Sequence, residues 1–312
     1  LDMRVAHDRP RAAPAVEHDQ VVTRLGQRLV VGAEFVFERG MRALDAVLDQ
    51  LGKLGGKRIE TLTPAEARKQ PTPADAVRAL LTAQGKPTEP EPVGKVEDRM
   101  IEGAAGPIPA KIYSPAGAGP FPVLVYFHGG GWVIGSPLVY DSTPRALVNL
   151  ADCVVVSVDY RLGPEHKFPA SHEDAFAAYQ WALQNAVSIN GDPSRIAVGG
   201  ESAGGNLAVS VAIDARDRKA VPPKHMMVVY PIAGADMNTT SYSDNATAKP
   251  LNKEMMDWFF KHYLRSAKDA QDPHLNLVAA NLKGLPAATV ITAEIDPLRS
   301  EGQQPVSYTH LT

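Results

Sequence analysis

The segment "RIAVGGESAGGNLAVSVAIDA" contains the residues best suited to covalent chemistry. An apolar run leads into Gly200-Glu201-Ser202-Ala203-Gly204, and a long helical pattern follows directly. A G-x-S-x-G sequence in this context predicts a sharp strand-to-helix turn with the serine at its apex. Such a turn crowds the positions two residues before and after the serine, where this sequence has glycines. Ser202 is therefore a candidate nucleophile for acyl transfer, and the alternative is an ordinary glycine-rich turn.

A second glycine-rich segment, "YFHGGGW" from Tyr126 to Trp132, follows an earlier apolar run. Consecutive glycines allow backbone amides to converge on one point without side-chain obstruction, as an oxyanion hole requires. The alternatives are a flexible loop and a phosphate-binding loop. A phosphate-binding loop needs a helix directly after the glycines and usually a lysine, whereas "WVIGSP" follows here. Together with the serine turn, this loop indicates acyl transfer.

Asp296 in "TAEIDPLRSEG" follows the last apolar run and is the candidate acid of a serine triad. Taken singly, an aspartate before proline more often caps a turn. The order along the chain favours the catalytic interpretation, because triads of this fold type run serine, acid, histidine. Only one histidine, His310, follows Asp296 in the sequence.

His310 is nevertheless a poor candidate for the catalytic base. A helix, a strand and their connections should separate the acid from the histidine, which requires roughly twenty or more residues. His310 is only the fourteenth residue after Asp296, and the intervening helix is expected to stop at Pro305. A codon series that encodes "PVSYTHLT" contains the transposon-end adapter of many DNA sequencing libraries. We therefore expect residues 305–312 to be a non-native tail and the triad histidine to be absent from this chain.

The elements that must position these residues alternate along the chain. Helical patterns separate five near-continuous apolar runs, which end at Phe127, Tyr160, Gly200, Tyr230 and Glu294. Runs of this kind are typical of strands that are buried on both faces. The sequence thus predicts an α/β fold with an open, mainly parallel sheet and helices on both faces. Ligands of such sheets bind beyond the carboxyl ends of the strands, where the serine turn and the glycine loop are expected.

Four ordered motifs resemble the hormone-sensitive-lipase family of α/β-hydrolases, in its bacterial esterase branch. They are "HGGGW", "YRLGPEHKFPA", "GESAGGN" and "DPLRSEG", and the resemblance covers roughly residues 41–304. It implies an α/β-hydrolase fold with a helical cap and a carboxylesterase for short to medium acyl esters. It implies no metal and no organic cofactor.

The resemblance also assigns roles to individual residues. It implies that Ser202 is the nucleophile, that Asp296 is the triad acid, and that the amides of Gly129, Gly130 and Ala203 form the oxyanion hole. The "YRLGPEHKFPA" segment, with Tyr160, Arg161 and Glu165, is expected to support the glycine loop from below. Glu201 matches an acidic position beside the nucleophile, with no role assigned to it.

The chain is expected to divide into four parts. Residues 41–95 should hold N-terminal cap helices and a linker, and residues 96–304 the catalytic domain with a cap insertion at about 236–281. Residues 1–40 contain six arginines and no lysine, whereas all fourteen lysines follow Met41. The first forty residues are therefore a doubtful extension, either translated upstream sequence or a real segment. Residues 305–312 form the non-native tail.

Local patterns predict several helices. The stretches "TPAE" from Thr63 and "TPAD" from Thr72 are typical of capping boxes with proline at the first helical position, and "SHED" from Ser171 suggests a third. In the cap insertion, "NKEMMDWFFKHYL" predicts an aromatic-rich amphipathic helix. Its apolar side is expected to face the core rather than to serve only as a substrate wall, and both roles are compatible in a lid.

Composition excludes several classes of protein. The chain has 312 residues, 44% hydrophobic and 21% charged, which is typical of a globular domain. A net charge of -3 gives no electrostatic reason to expect nucleic acid or an anionic membrane as a partner. No apolar stretch approaches the roughly 20 residues that a membrane span needs. The single cysteine, Cys153, excludes an internal disulfide and is expected to be a small core residue.

We therefore expect a cytoplasmic enzyme whose partner is a small-molecule ester, with homo-oligomerisation left open. Two rival functions remain. The same site could deacetylate arylacetamides or other amides, or the fold could serve as a ligand-binding receptor without catalysis. Intact Ser202 and Asp296 argue against a receptor, which has no need of them.

Overall fold

The computed structural model of the chain describes the backbone of residues 33–309 and the side chains of residues 43–304. The chain divides into two structural units after Ala46. All packing described below lies within the second unit, residues 47–312. In the described part of the chain, no helix is long and apolar enough to cross a membrane.

In residues 33–309, seven strands form one sheet. Their bounds, from β1 to β7, are Lys95–Gly103, Gly106–Ser114, Phe121–Phe127, Val154–Val158, Gly191–Glu201, Met226–Val229 and Ala288–Ile291. Their order across the sheet is β1-β2-β4-β3-β5-β6-β7. β1 and β2 pair antiparallel with each other, β2 pairs antiparallel with β4, and every other pair is parallel. The predicted α/β class with a mainly parallel sheet is confirmed, and the five predicted strands correspond to β3 through β7.

The described residues contain nine α-helices. Their bounds, from α1 to α9, are Ala33–Lys53, Pro64–Ala67, Pro73–Ala83, Ser142–Ala151, Ala170–Asn185, Ala203–Asp217, Thr240–Asp244, Lys253–Tyr263 and Arg299–Thr309. Short 3₁₀ turns lie at Ile59–Thr61, Ala186–Ile189 and Asp269–Gln271.

Side chains of β3 alternate between the two faces of the sheet. Val125 and Phe127 belong to the larger core cluster, which also holds buried residues of α5 and α6. Leu124 and Tyr126 belong to a smaller cluster with Val148 of α4. Because successive strand residues point to opposite faces, helices cover both faces, and this explains the near-continuous apolar runs.

Two of the predicted helix starts are confirmed by their capping boxes. The Thr63 hydroxyl accepts a hydrogen bond from Glu66 N, and the Glu66 carboxylate accepts one from Thr63 N. Thr72 and Asp75 exchange the same pair of bonds at the start of α3. Each box satisfies amides that have no partner inside the helix.

Two predictions about other helix ends are wrong. α5 begins at Ala170, and the Ser171 hydroxyl donates to the carbonyl oxygen of Arg161 at 2.6 Å instead of capping the helix. α9 continues through Pro305 to Thr309, so the proline, which has no N–H and destabilises a helix interior, does not end this helix.

The predicted boundaries at both termini fall partly outside the described residues. α1 begins at Ala33 and runs through Met41, so residue 41 is not a helix start. Residues 1–32 and 310–312, and with them His310, lie outside the described residues. The assignments of residues 1–40 and 305–312 stay predictions.

Candidate active site

Ser202 is the single residue between the end of β5 and the start of α6. Its backbone has φ 56° and ψ -118°, a positive-φ conformation that is costly for any residue except glycine. Two bonds hold the turn against the segment around β6. Ser202 N donates to the Val229 carbonyl at 2.9 Å, and the Ser202 carbonyl accepts from Ile232 N at 3.2 Å. The surrounding backbone thus keeps the serine at the apex of a strained turn.

The two glycines of the turn lie against the end of β3. A Cβ atom added at Gly200 or at Gly204 would lie far inside van der Waals contact of the Phe127 carbonyl oxygen. Because these contacts are with backbone, no side-chain rotation can relieve them. The close approach of β3 to the serine turn is thus the reason why these two positions require glycine.

The glycine loop after β3 lies beside the serine. A Cβ atom added at Gly129 would be 3.4 Å from Ser202 Cβ. Gly130 and Gly131 follow with φ values of 106° and 57°. The Phe259 ring of α8 lies directly on Gly131, where it would collide with an added Cβ atom. The predicted core-facing aromatic helix therefore also covers the glycine loop.

The amides of this loop are not equivalent. Gly129 N donates to Glu201 Oε1 at 2.9 Å, so its hydrogen is already bonded and is not free for an oxyanion. The expected role of the Gly129 amide is at odds with this contact, which arises because the Glu201 side chain reaches the loop. Among the described residues, the amides of Gly130, Gly131 and Ala203 donate to no protein atom. Sequence reasoning had omitted Gly131.

Glu201 is buried, with 8% of its surface exposed, and each of its carboxylate oxygens accepts a hydrogen bond. Oε1 accepts from Gly129 N, and Oε2 accepts from the Tyr126 hydroxyl at 2.6 Å. Burial raises the pKa of Glu201 to about 7, against the opposing effect of these two hydrogen bonds. The sequence marked Glu201 as an acidic neighbour of the serine but could not show these partners.

Asp296 lies beyond the end of β7, at the same edge of the sheet as the serine turn. It is buried, and its Oδ1 accepts from Leu298 N at 2.8 Å. Burial raises its pKa. Tyr230 directly follows β6, between the two other strand ends. Burial, and then the charges of Glu201 and Asp296, raise the pKa of Tyr230 to about 12, which indicates that both carboxylates are near it.

The two most deeply buried of the described histidines have partners within the core. His128 Nδ1 is 2.7 Å from the Gly129 carbonyl oxygen, and burial lowers its pKa to about 4. His172 bonds to Tyr263 and Asn206, and burial lowers its pKa to about 4 as well. Both rings are therefore neutral at ordinary pH and serve as packed structural groups.

The segment predicted to support the glycine loop does so through side chains. The Tyr160 hydroxyl donates to the His128 carbonyl at 2.6 Å. Glu165 forms a two-oxygen ion pair with Arg68, whose Nε donates to the Val133 carbonyl at 2.8 Å. Direct support of the loop is thus confirmed for Tyr160, whereas Glu165 acts through Arg68 on the residue that follows the loop, and Arg161 forms an ion pair with Asp174 of α5. Arg68 was missed, because nothing local in the sequence links the N-terminal helices to the loop.

Cys153 is buried beside β4 and is free. Burial raises its pKa to about 12, so the thiol is not a nucleophile at neutral pH. The prediction of a small core residue is confirmed.

Comparison with known proteins relates this geometry to a group of enzymes. A family model described as the alpha/beta hydrolase fold matches residues 124–308. Carboxylesterase NlhH of Mycobacterium tuberculosis is 40% identical over 241 residues, which cover 74% of this chain and 75% of that protein. An arylesterase of Saccharolobus solfataricus is 39% identical, covering 68% and 70%. The hyperthermophilic esterase from Pyrobaculum calidifontis superimposes with a TM-score of 0.76 and 38% identity, covering 85% and 83%.

Proposed function

Because the chain belongs to the α/β-hydrolase family, in its hormone-sensitive-lipase group, and is an ester hydrolase, we propose that it is a serine carboxylesterase for short to medium acyl esters. The observation that carries this proposal is the position of Ser202, alone between β5 and α6 at positive φ with the glycine loop against it. Relatives named carboxylesterase and arylesterase support the substrate class.

In the proposed reaction Ser202 Oγ attacks the ester carbonyl carbon and its proton passes to a base. The carbon–oxygen bond to the alcohol then breaks, the base returns the proton to the leaving alcohol, and an acyl-enzyme remains. Water cleaves the acyl-enzyme by the same sequence. The negative charge on the carbonyl oxygen is stabilised by amides that have no acceptor among the described residues, those of Gly130, Gly131 and Ala203. The N-terminus of α6 adds a favourable dipole.

The proposed base is a histidine that follows Asp296 in the natural protein and is not among the described residues. Asp296 Oδ1 is held by Leu298 N, and Oδ2 accepts no hydrogen bond from the described residues, which leaves it available to orient an imidazole. A buried carboxylate in this position fixes the tautomer of the histidine and stabilises its charged form. His310 is the competing assignment.

The preference for short and medium acyl chains is proposed from the cap. The segment before residue 85 and the insertion at about 236–281 are linked by a hydrogen bond from Trp258 Nε1 to the Leu62 carbonyl at 3.0 Å. The next residue, Phe259, lies on Gly131. A rigid aromatic wall this close to the oxyanion donors limits the room for long acyl groups.

Two chains test the proposed function. One is the chain as it stands, and the other is joined after Gln304 to the matching C-terminal segment of carboxylesterase NlhH. Each is assayed on p-nitrophenyl acetate, butyrate, octanoate and laurate, and on p-nitroacetanilide, beside its Ser202→Ala variant. We expect Ser202-dependent ester hydrolysis that is weak on laurate and weaker on the anilide, and roughly 10³-fold or more faster in the joined chain.

Other outcomes contradict individual parts of the proposal. Faster turnover of the anilide would favour amide deacetylation, and ligand binding without turnover in the joined chain would favour a receptor. Full activity in the chain as it stands, lost on His310→Ala, would make His310 the base.

A further inference from the structure

Glu201 is a buried carboxylate beside the nucleophile that the proposed acyl-transfer steps do not use. Its two partners come from the end of β3 and from the glycine loop. The Tyr126 hydroxyl donates to Oε2 at 2.6 Å and Gly129 N donates to Oε1 at 2.9 Å. A carboxylate with two donors and 8% exposure is a fixed acceptor rather than a surface charge.

The bond to Gly129 N fixes one peptide group of the glycine loop from both sides. The His128 carbonyl, at the other end of the same peptide group, accepts from the Tyr160 hydroxyl at 2.6 Å. The next peptide group is also held, because His128 Nδ1 lies 2.7 Å from the Gly129 carbonyl oxygen. In a planar trans peptide the C=O and N–H groups point in opposite directions. Holding the Gly129 carbonyl therefore sets the direction of the Gly130 N–H.

We propose that Glu201 is a positioning residue that anchors the glycine loop through Gly129 N, so that the following amides are aimed at the oxyanion. This inference rests on the proposed function. It explains why the first glycine amide is bonded while those of Gly130 and Gly131 have no acceptor in the part of the chain that the structure describes. An oxyanion hole depends on donors that are oriented before the reaction begins, and this carboxylate supplies the anchor.

The charge of Glu201 does not itself assist the reaction, since a carboxylate near a developing oxyanion repels it. The titratable groups that face it are the Tyr126 hydroxyl and, through their electrostatic interaction with Glu201, Tyr140, Tyr160 and Tyr230, all with raised pKa values and so neutral at ordinary pH. Its benefit must come through the amide that it orients. Because a triad histidine titrates in a similar pH range, the pH profile of turnover cannot isolate Glu201.

A spectroscopic test follows from the sequence. His128–Gly129 is the only His-Gly pair in the chain, so labelling with ¹³C-carbonyl histidine and ¹⁵N-glycine selects one amide in the spectrum of the full chain. We expect the Gly129 proton resonance to shift with a midpoint near the Glu201 pKa of about 7. The shift should disappear in Glu201→Gln. A resonance that ignores pH and is the same in both proteins would overturn the inference.

Activity measurements test the consequence in whichever chain hydrolyses p-nitrophenyl butyrate. Glu201→Ala should lower kcat by about 10²-fold, the effect of losing one oxyanion donor, with little change in KM. Glu201→Gln should lose less, because its amide oxygen still accepts from Gly129 N. An increase in KM at unchanged kcat would overturn the positioning role.

A matched pair of tyrosine variants separates this role from general core damage. Tyr126→Phe removes the donor to Glu201, whereas Tyr113→Phe removes a similar buried bond, to Asp141 at 2.7 Å, outside the glycine loop. Only Tyr126→Phe should move the Gly129 resonance. Absence of hydrolysis in every chain would overturn the proposed function and the catalytic part of this inference. An unresponsive Gly129 resonance would overturn this inference alone.

Discussion

Two buried glutamates, one beside the serine and one in α9, are accommodated in different ways. Glu201 accepts a hydrogen bond on each carboxylate oxygen. Glu301 in α9 is 2% exposed and accepts from Ala233 N at 3.0 Å through Oε1, while its Oε2 has no partner among the described residues. Burial raises the pKa of Glu201 to about 7 and that of Glu301 to about 8.

The difference separates two ways of burying an acid. Two strong donors keep Glu201 close to ionisation at neutral pH, so it can anchor a loop. Glu301 has fewer donors and is protonated at neutral pH, which avoids the larger cost of an unpaired buried charge. The carboxylate in the serine half of the site, Ser202 with its glycine loop, thus has both oxygens hydrogen-bonded, whereas the carboxylate in the half around α9 keeps one oxygen without a partner among the described residues.

The largest expected effect is a loss of stability when a methyl group is added to the serine turn. Gly204→Ala should lower the free energy of unfolding by about 3 kcal/mol or more, because the new Cβ atom collides with the Phe127 carbonyl. Gly52→Ala is the control, since an added Cβ atom there meets nothing within 4 Å and helix propensity improves. Urea unfolding of both variants checks this. Equal stability of Gly204→Ala and the parent chain would contradict the tight turn.

A substitution in the glycine loop should have a smaller effect, which appears in the turnover rate. Gly131→Ala places a Cβ atom in the Phe259 ring at a residue with φ 57°, so the loop must shift. We expect kcat for p-nitrophenyl butyrate to fall by about 10²-fold, since an oxyanion donor moves. When Gly131→Ala is added to the Phe259→Ala variant, we expect kcat to fall by a smaller factor than when it is added to the parent chain, because the ring that the new Cβ atom meets is gone. Equal factors would show that Phe259 is not the obstacle.

The pH dependence of stability sharpens the comparison of the two glutamates. Glu301 has a folded pKa of about 8 against an ordinary value of 4.5, so the folded protein holds this proton more tightly than the unfolded chain. Its stabilising contribution is complete below pH 4.5 and is lost as the pH rises to about 8. Relative to Glu301→Gln, the parent chain should lose a few kcal/mol of unfolding free energy across that range. Urea unfolding at several pH values measures this.

Two other carboxylates serve as controls for the direction in which stability changes with pH. Glu201 also has a raised pKa, so its contribution to the free energy of unfolding should be lost as the pH rises to about 7. Arg265 holds the pKa of Asp269 below its ordinary value of 3.8, so the contribution of Asp269 is present above that pH and is lost in acid. A parent chain whose stability relative to Glu301→Gln is constant from pH 5 to 8 would contradict the raised pKa.

The smallest expected effect lies outside both halves, at a helix cap. Thr72→Ala removes the hydroxyl that accepts from Asp75 N and should cost about 1 kcal/mol of unfolding free energy. Thr72→Ser keeps the hydroxyl and should cost much less. Thermal unfolding of the two variants measures the difference. A Thr72→Ser variant as unstable as Thr72→Ala would show that the methyl group, not the cap, matters.

Features set by neighbouring residues could be predicted from the sequence. The strand before Ser202, the helix after it and the small residues around it follow from one local pattern, and the structure has all three. The capping boxes at Thr63 and Thr72 follow from four residues each. The apolar pattern did not predict β1 and β2, because exposed positions interrupt it in both strands.

Features set by distant residues could not be predicted. Which glycine amides are left without an acceptor depends on the Glu201 side chain, which accepts from Gly129 N although the two residues are 72 positions apart in the chain. Ser171 has a normal capping sequence, but α5 begins one residue earlier, at Ala170, and the Ser171 hydroxyl donates to the Arg161 carbonyl. The start of this helix depends on tertiary packing, which periodicity and spacing do not encode.

The identity of the nucleophile is the central claim, and one measurement tests it most directly. The chain that hydrolyses p-nitrophenyl butyrate is quenched in acid within the first turnover, and its peptides are analysed by mass spectrometry. The account predicts one butyryl group on the peptide that contains Ser202, and no acylated peptide and no turnover above background in Ser202→Ala. A butyryl group on another residue, or parent-like hydrolysis by Ser202→Ala, would contradict it.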